Sequence, residues 1–214
     1  MACKIVAFLN QKGGSGKTTI ATNVAEALSR RGYNVILADT DPQGSARDWK
    51  AASESEEGVA VVGFDRAQLI SRDLPTVARG ADFVIIDGAP QVKDLAASAI
   101  KAADLVIIPV QPSPYDIWAT ADLTDLIKSR QEVADGKPKA GFLISRAIKN
   151  TKLSHEITEA LEVYGLPILK SGTTQRVIYP AAAAEGKSVL DSADAGALAE
   201  VENIASEVLQ WLAD

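Results

Sequence analysis

Lys12-Gly13-Gly14-Ser15-Gly16-Lys17-Thr18-Thr19 is the stretch on which the fold turns. It follows an apolar, strand-like run at 5–9 and opens a segment of helical periodicity at 18–31. A glycine-rich turn between strand and helix is the setting in which backbone amides converge on phosphate. Gly13, Gly14 and Gly16 let N–H groups point inward without Cβ interference, with Ser15 and Thr19 completing the loop. The new helix contributes its positive end, and Lys17 a full charge for the β- and γ-phosphates. Thr18 places a hydroxyl where Mg²⁺ would sit. The octet reads as a nucleoside triphosphate site.

The octet also departs from the general G-x-x-x-x-G-K-[ST] pattern. The position six before Lys17 is Gln11 rather than glycine, and a second lysine, Lys12, stands five before it. One lysine is enough for the phosphates of one nucleotide. Lys12 is therefore either a solvated surface cation or a charge projected into the nucleotide of a facing subunit. The second geometry would tie hydrolysis to dimerisation.

Outward from this loop, apolar runs recur at 35–38, 59–64, 83–86, 105–110 and 141–144, with a short one at 167–169. Helix-period segments fall between most of them, at 45–52, 95–103, 117–131, 154–164 and 195–212. Strands apolar throughout, alternating with helices, indicate a mostly parallel sheet covered on both faces. At 214 residues the chain fits one α/β domain, 1–214, with a large core. Ligands of such sheets bind beyond the carboxyl ends of the strands.

Two further strand ends carry carboxylates. Asp87 closes the 83–86 run, the place for a partner of hydrated Mg²⁺ beside the phosphates. Asp39 and Asp41 sit at i, i+2 in Asp39-Thr40-Asp41-Pro42-Gln43-Gly44-Ser45. Asp41 is assigned to positioning the attacking water and Asp39 to supporting the metal shell. Phosphoryl transfer needs positioning and charge neutralisation more than proton abstraction, so ordinary aspartates suffice.

Composition narrows the alternatives. The single Cys3 excludes a disulfide framework and cysteine-ligated metal chemistry within one chain. The longest apolar runs are strand length, and Met1-Ala2-Cys3-Lys4 leads straight into the first of them, so a soluble, cytoplasmic protein is expected. Net charge is −6, but residues 137–187 carry +4 and the remainder −10, which permits a basic face on an acidic body. His155, the only histidine, is given no catalytic role.

With these residues in place the chain resembles the ParA/MinD ATPases with a deviant Walker A loop. Residues 12–19, 39–45 and the Asp87 strand stand for the Walker A, A′ and B elements. Asp-Pro-Gln-Gly-Ser followed by Trp49, the 108–114 segment Ile-Pro-Val-Gln-Pro-Ser-Pro, and Gln175-Arg176…Tyr179…Glu185-Gly186-Lys187-Ser188-Val189 resemble small plasmid-partition ParA proteins. The resemblance implies ATP and Mg²⁺, an ATP-sandwich homodimer in which Lys12 reaches the partner's phosphates, and slow hydrolysis stimulated by a ParB-type partner. It further implies nonspecific binding to double-stranded DNA on the nucleoid, with Arg176 and Lys187 as contacts and Lys149, Lys152 and Lys170 nearby. Arg146 falls where relatives meet adenine. Gly88-Ala89 departs from the polar-Pro-Pro run of many relatives.

Within that superfamily, cysteine content excludes nitrogenase-like, iron–sulfur-scaffold and arsenite-pump branches, and the last tyrosine, Tyr179, excludes the tyrosine kinases. A MinD-like membrane helix at the end of the chain would present Asp191, Asp194, Glu200, Glu202, Glu207 and Asp214 with no cation after Lys187. Anionic lipid repels such a face, so this helix is expected to pack in the core with Trp211 against the sheet. No helix-turn-helix domain fits before the loop. A ligase of the dethiobiotin synthetase type is the remaining alternative, disfavoured by Lys12 and the 39–45 element.

Overall fold

The computed structural model describes residues 2–55, 58–90, 92–148 and 152–213, with side chains in the last span described from Ile157 onward. Six strands form one sheet: β1 (Lys4–Phe8), β2 (Val35–Asp39), β3 (Ala60–Gly63), β4 (Phe83–Asp87), β5 (Leu105–Val110) and β6 (Lys139–Ile144). Their order is β3-β2-β4-β1-β5-β6 and every pairing is parallel. The chain leaves β1 toward β2 and β3, returns through β4, and crosses to β5 on the other flank. That reversal opens a crevice at the carboxyl end of β1, where ligands of open parallel sheets bind.

Nine helices are described: α1 (Lys17–Arg30), α2 (Ser45–Ala52), α3 (Ala67–Val77), α4 (Lys93–Ala102), α5 (Pro114–Trp118), α6 (Ala121–Glu132), α7 (Lys152–Glu162), α8 (Ile178–Ala184) and α9 (Ala195–Ala213). They cover both faces of the sheet. Side chains alternate along a strand, so Val6 and Phe8 of β1 join one apolar cluster while Ala7 and the following Leu9 join the other. The first cluster takes in α1 and α9 (Val24, Leu28, Val201, Ile204, Val208). The second takes in α3, α4, α6 and α7 (Ile70, Leu74, Ile100, Ile127, Leu161).

The strands fall where the apolar runs place them, except that 167–169 contributes only a bridge from Ile168 to Phe142. The helices differ more. The 117–131 segment is two helices, because the buried Thr120 hydroxyl bonds back to the Ile117 carbonyl at 2.7 Å and closes α5. α3 and α8 were not expected. Pro75 lies inside α3, yet burial of Ile70 and Leu74 holds the helix across the missing donor. Pro180 falls in the first turn of α8, where the absent N–H removes no helical bond.

As expected, α9 packs in the core: Ala197, Val201, Ile204, Ala205 and Val208 are buried. Trp211 is half-buried, its ring lying over β6 where a Cβ on Gly141 would come within 2.5 Å of it. The apolar stripe of α9 packs on the first cluster, with Leu209, Trp211 and Leu212 partly buried against it. Among the described residues no helix is long and apolar enough to cross a membrane.

Gly186 fixes the loop after α8. Its φ is +64°, and a Cβ there would lie 2.2 Å from the Ser53 backbone nitrogen at the end of α2. Trp49 secures the same loop, donating its indole N–H to the Lys187 carbonyl at 3.1 Å. Gly186→Ala is expected to destabilise the fold by about 2 kcal/mol or more, through φ strain and a backbone clash that no rotamer relieves. Denaturant melts of the two proteins check it; coincident curves would show that the α2–α8 contact is slack.

Candidate active site

Gly16 stands at the start of α1 with φ +95°, and no side chain caps the helix. A helix start left uncapped keeps its first amides for an incoming anion. The loop backbone leading up to it, by contrast, is fastened from behind. Asn10 accepts from the Lys12 N–H at 2.9 Å, Gln111 at the end of β5 donates to the Gly14 carbonyl, and Ser145 after β6 donates to the Ser15 carbonyl at 2.7 Å. Three strand ends thus hold one loop. The Lys17 ammonium, 6% exposed, donates to the Lys12 carbonyl at 3.0 Å. Burial pushes its pKa down, against the opposing pull of Asp87 and Asp41.

Parallel register sets Asp87 level with Phe8 on one side and Asp39 on the other. Asp87 is 1% exposed, and neither carboxylate oxygen has a hydrogen-bond partner of good geometry. Burial raises its pKa to about 7, tempered by the neighbouring Thr18 hydroxyl and Lys17 and reinforced by Asp39 and Asp41. A buried, unpartnered carboxylate beside a threonine hydroxyl is a hard-oxygen donor set suited to Mg²⁺. Gly88 follows because nothing larger fits: a Cβ would lie 2.4 Å from Leu9 and 2.8 Å from the Phe8 carbonyl. The departure from the polar-Pro-Pro run is therefore a packing requirement of β1 against β4.

Asp39 and Asp41 do not act as a pair. Asp41 lines the same cleft as Lys17, Thr18 and Thr19. Asp39 is fully buried and turned away: one oxygen accepts from the Asp41 N–H at 3.0 Å, the other from the Arg47 N–H and Nε at 3.1 and 3.2 Å. Both of its oxygens serve the loop that leads into α2. Asp39 thus braces the loop that carries Asp41, and its charge also acts on Asp87 one strand away.

The cleft encloses about 350 Å³ between Gly13, Gly14, Gly16, Asp41 and Pro90 on one side and Arg146 with 173–176 on the other. Arg146 has φ +53°, reaches Gln175 Oε1 at 2.9 Å and lines the cleft. Arg176 departs from expectation. It does not project as a free cation: its guanidinium bonds Asp194 at 3.0 Å and Glu200 at 3.0 Å. Glu200 also accepts from the Thr174 hydroxyl at 2.6 Å and the Tyr179 hydroxyl at 2.8 Å, and burial with this contact pushes the Tyr179 pKa up. The cluster ties the cleft wall to α9. Lys187 is exposed and pairs with Glu185 at 2.8 Å. Lys149 and the Lys152 and His155 side chains lie outside the described residues.

Lys12 lies outside the cleft lining, its side chain 40% exposed. Its ammonium bonds Asp116, a carboxylate on α5 that sequence reasoning passed over because 104 residues separate the two. Asn10, Ser145 and Glu200 were missed for the same reason. Their only sequence signal is a polar residue at an apolar strand end or helix face.

A phosphate cradle at the switch point of a parallel sheet, with a buried acid one strand away, defines a P-loop nucleotide-binding protein. Residues 6–189 match the family described as the CobQ/CobB/MinD/ParA nucleotide binding domain. The chain belongs to that family and, within it, to the ParA/MinD superfamily. It is 32% identical over 210 residues to "Maintenance of carboxysome distribution protein A" of Halothiobacillus neapolitanus, covering 95% of each chain. It is 31% identical to the "Chromosome-partitioning ATPase Soj" of Thermus thermophilus, over 74% of this chain and 76% of that one. Among solved structures, apo McdA of Cyanothece superposes with a TM-score of 0.82 at 17% identity, covering 96% of this chain and 99% of that one.

Proposed function

We propose that this chain is a Mg²⁺-dependent ATPase of the ParA positioning type, in which ATP closes two copies into a dimer and hydrolysis releases them. The observation that carries the reading is the division of labour between two lysines. Lys17 is buried in its own cleft, whereas Lys12 stands at the rim, outside that cleft. Gly13–Thr19 and Lys17 bind the phosphates, and Arg146 with the 173–176 wall holds the nucleoside. Thr18 and Asp87 hold Mg²⁺, which when bound neutralises charge on the β- and γ-phosphates. Asp41, braced by Asp39, orients the attacking water. Lys12 stabilises charge across the dimer interface, where an arginine supplied in trans is worth roughly 10³–10⁵ in rate.

The work proposed is distribution of a cargo over the nucleoid by ATP-bound dimers, with release triggered by a ParB-type or cargo-borne partner. The relatives named for carboxysome distribution and chromosome partitioning support positioning in general; plasmid partition is one form of it. DNA contacts are assigned to the exposed Lys187 and Lys170; Lys187 shares its charge only with the equally exposed Glu185, whereas the largely buried Arg176 is held by two carboxylates, Asp194 and Glu200. Counterion release then predicts DNA binding that weakens by an order of magnitude or more between about 50 and 200 mM salt. Salt-insensitive binding would exclude this account, and liposome sedimentation with ATP would identify a membrane regulator instead.

The deciding experiment is sedimentation velocity with a non-cleavable ATP analogue, alongside turnover of ATP alone. Analogue-dependent dimers and slow hydrolysis without any small-molecule acceptor support the reading; a persistent monomer, or hydrolysis that requires a carboxylate substrate, overturns it. Lys12→Gln keeps a donor for Asp116 and removes the charge, so the fold survives. It is expected to bind ATP normally and lose partner-stimulated hydrolysis about 100-fold or more. Full stimulation in that variant would remove the trans lysine.

A further inference from the structure

We propose that Asp116 is the positioning residue for Lys12: it holds the lysine in its own subunit and must release it before the lysine can serve a second copy. This rests on the ATP-gated dimer proposed above and adds the step that precedes closure. Asp116 is 3% exposed on α5, and one of its oxygens accepts from the Lys12 ammonium. Its other oxygen is buried without any partner. Lys12 is thus the one cation bonded to this carboxylate among the described residues. The Lys12 side chain is 40% exposed, so it reaches this buried acid from the protein's edge.

The arrangement is a latch, not a structural ion pair. A buried pair built only for stability satisfies all its lone pairs, because an unpartnered buried oxygen is costly. Here the acid is half satisfied, and the base sits at the edge of solvent on the loop that begins the phosphate cradle. The same lysine gives its carbonyl to the Lys17 ammonium at 3.0 Å. When Lys17 turns to phosphate, that hydrogen bond is lost and the Lys12 backbone loosens, which couples nucleotide entry to the latch. α5 is short and closed by Thr120, so Asp116 is carried on a five-residue element separate from the strand before it. Asp116 thereby sets how readily Lys12 leaves, and with it the threshold for dimerisation.

Asp116→Asn keeps the shape and weakens the hold. It is expected to tighten analogue-dependent dimerisation about tenfold, equivalent to about 1.4 kcal/mol, and to have no such effect in a Lys12→Gln background. A merely structural aspartate would instead weaken dimerisation, equally in both backgrounds. A second readout needs no dimer: acylation of Lys12 by a water-soluble succinimidyl ester, followed by mass spectrometry on nucleotide-free monomer. Contact with the buried Asp116 shields the Lys12 nitrogen from the reagent, so Lys12 is expected to react several-fold faster in Asp116→Asn. Asp116→Ser serves the same measurement if the asparagine variant does not fold. Equal acylation rates, or a dimer shift that persists in Lys12→Gln, overturn the latch. If the natural sequence stays monomeric while Lys12 acylation still responds to Asp116, the latch stands and the dimer reading falls.

Discussion

Asp87→Asn is expected to lower ATP turnover by roughly 10³-fold while making the nucleotide-free protein more stable above neutral pH. The first effect follows from losing the carboxylate that, with Thr18, is proposed to hold Mg²⁺ beside the phosphates; charge neutralisation there is the main catalytic resource in phosphoryl transfer. The second follows from the sign of its titration. Burial raises the folded-state pKa from 3.8 to about 7, so the folded protein holds a proton that the unfolded chain has released. The natural sequence then loses stability by about 1.4 kcal/mol per pH unit between roughly pH 4 and 7, with a plateau above. Asparagine has no such slope. Denaturant unfolding in EDTA across pH 5 to 8 should show the two proteins diverging up to neutrality and running parallel beyond it. Parallel lines throughout would mean that Asp87 is solvated, and its assignment as the buried metal acid would go with it.

Lys17→Ala should abolish nucleotide binding without harming the fold. Two charge-assisted hydrogen bonds to phosphate at roughly 1.5–3 kcal/mol each correspond to a loss of about 10²–10⁴ in affinity. The fold should tolerate the change because the ammonium is itself a buried cost: burial lowers its pKa, and its one hydrogen bond is to the Lys12 carbonyl. Calorimetric titration with ATP and a thermal melt of the same sample test both halves. Retained affinity would place the phosphates elsewhere; a collapsed melting transition would make Lys17 a structural residue.

The sequence was most legible where one residue type can do one job locally. The glycine-lysine loop, the apolar strands and the strand-end position of Asp87 all depend on neighbours within a few residues, and all are where pattern reading puts them. It was least legible where a charge is answered from far along the chain. Arg176 reads as a DNA contact until α9 folds back with Asp194 and Glu200, and nothing near Asp116 in sequence announces Lys12 as its partner. The i, i+2 spacing aims Asp39 and Asp41 at the same site, but the N-terminus of α2 turns back onto Asp39. Both helices absent from the sequence pattern contain a proline: in α3 packing overrides the lost donor, and in α8 the ring sits too early to interrupt anything.

The bond network around Glu200 has a corollary for the chain's far end. Thr174, Arg176 and Tyr179 all answer to one carboxylate on α9, so a nucleoside held against this cleft wall, as proposed, would also grip that helix. Nucleotide should therefore shield 195–213 from protease and slow its amide exchange, although that segment never meets the ligand. A Glu200→Gln chain would fray there first, reporting pocket occupancy as looseness in its tail.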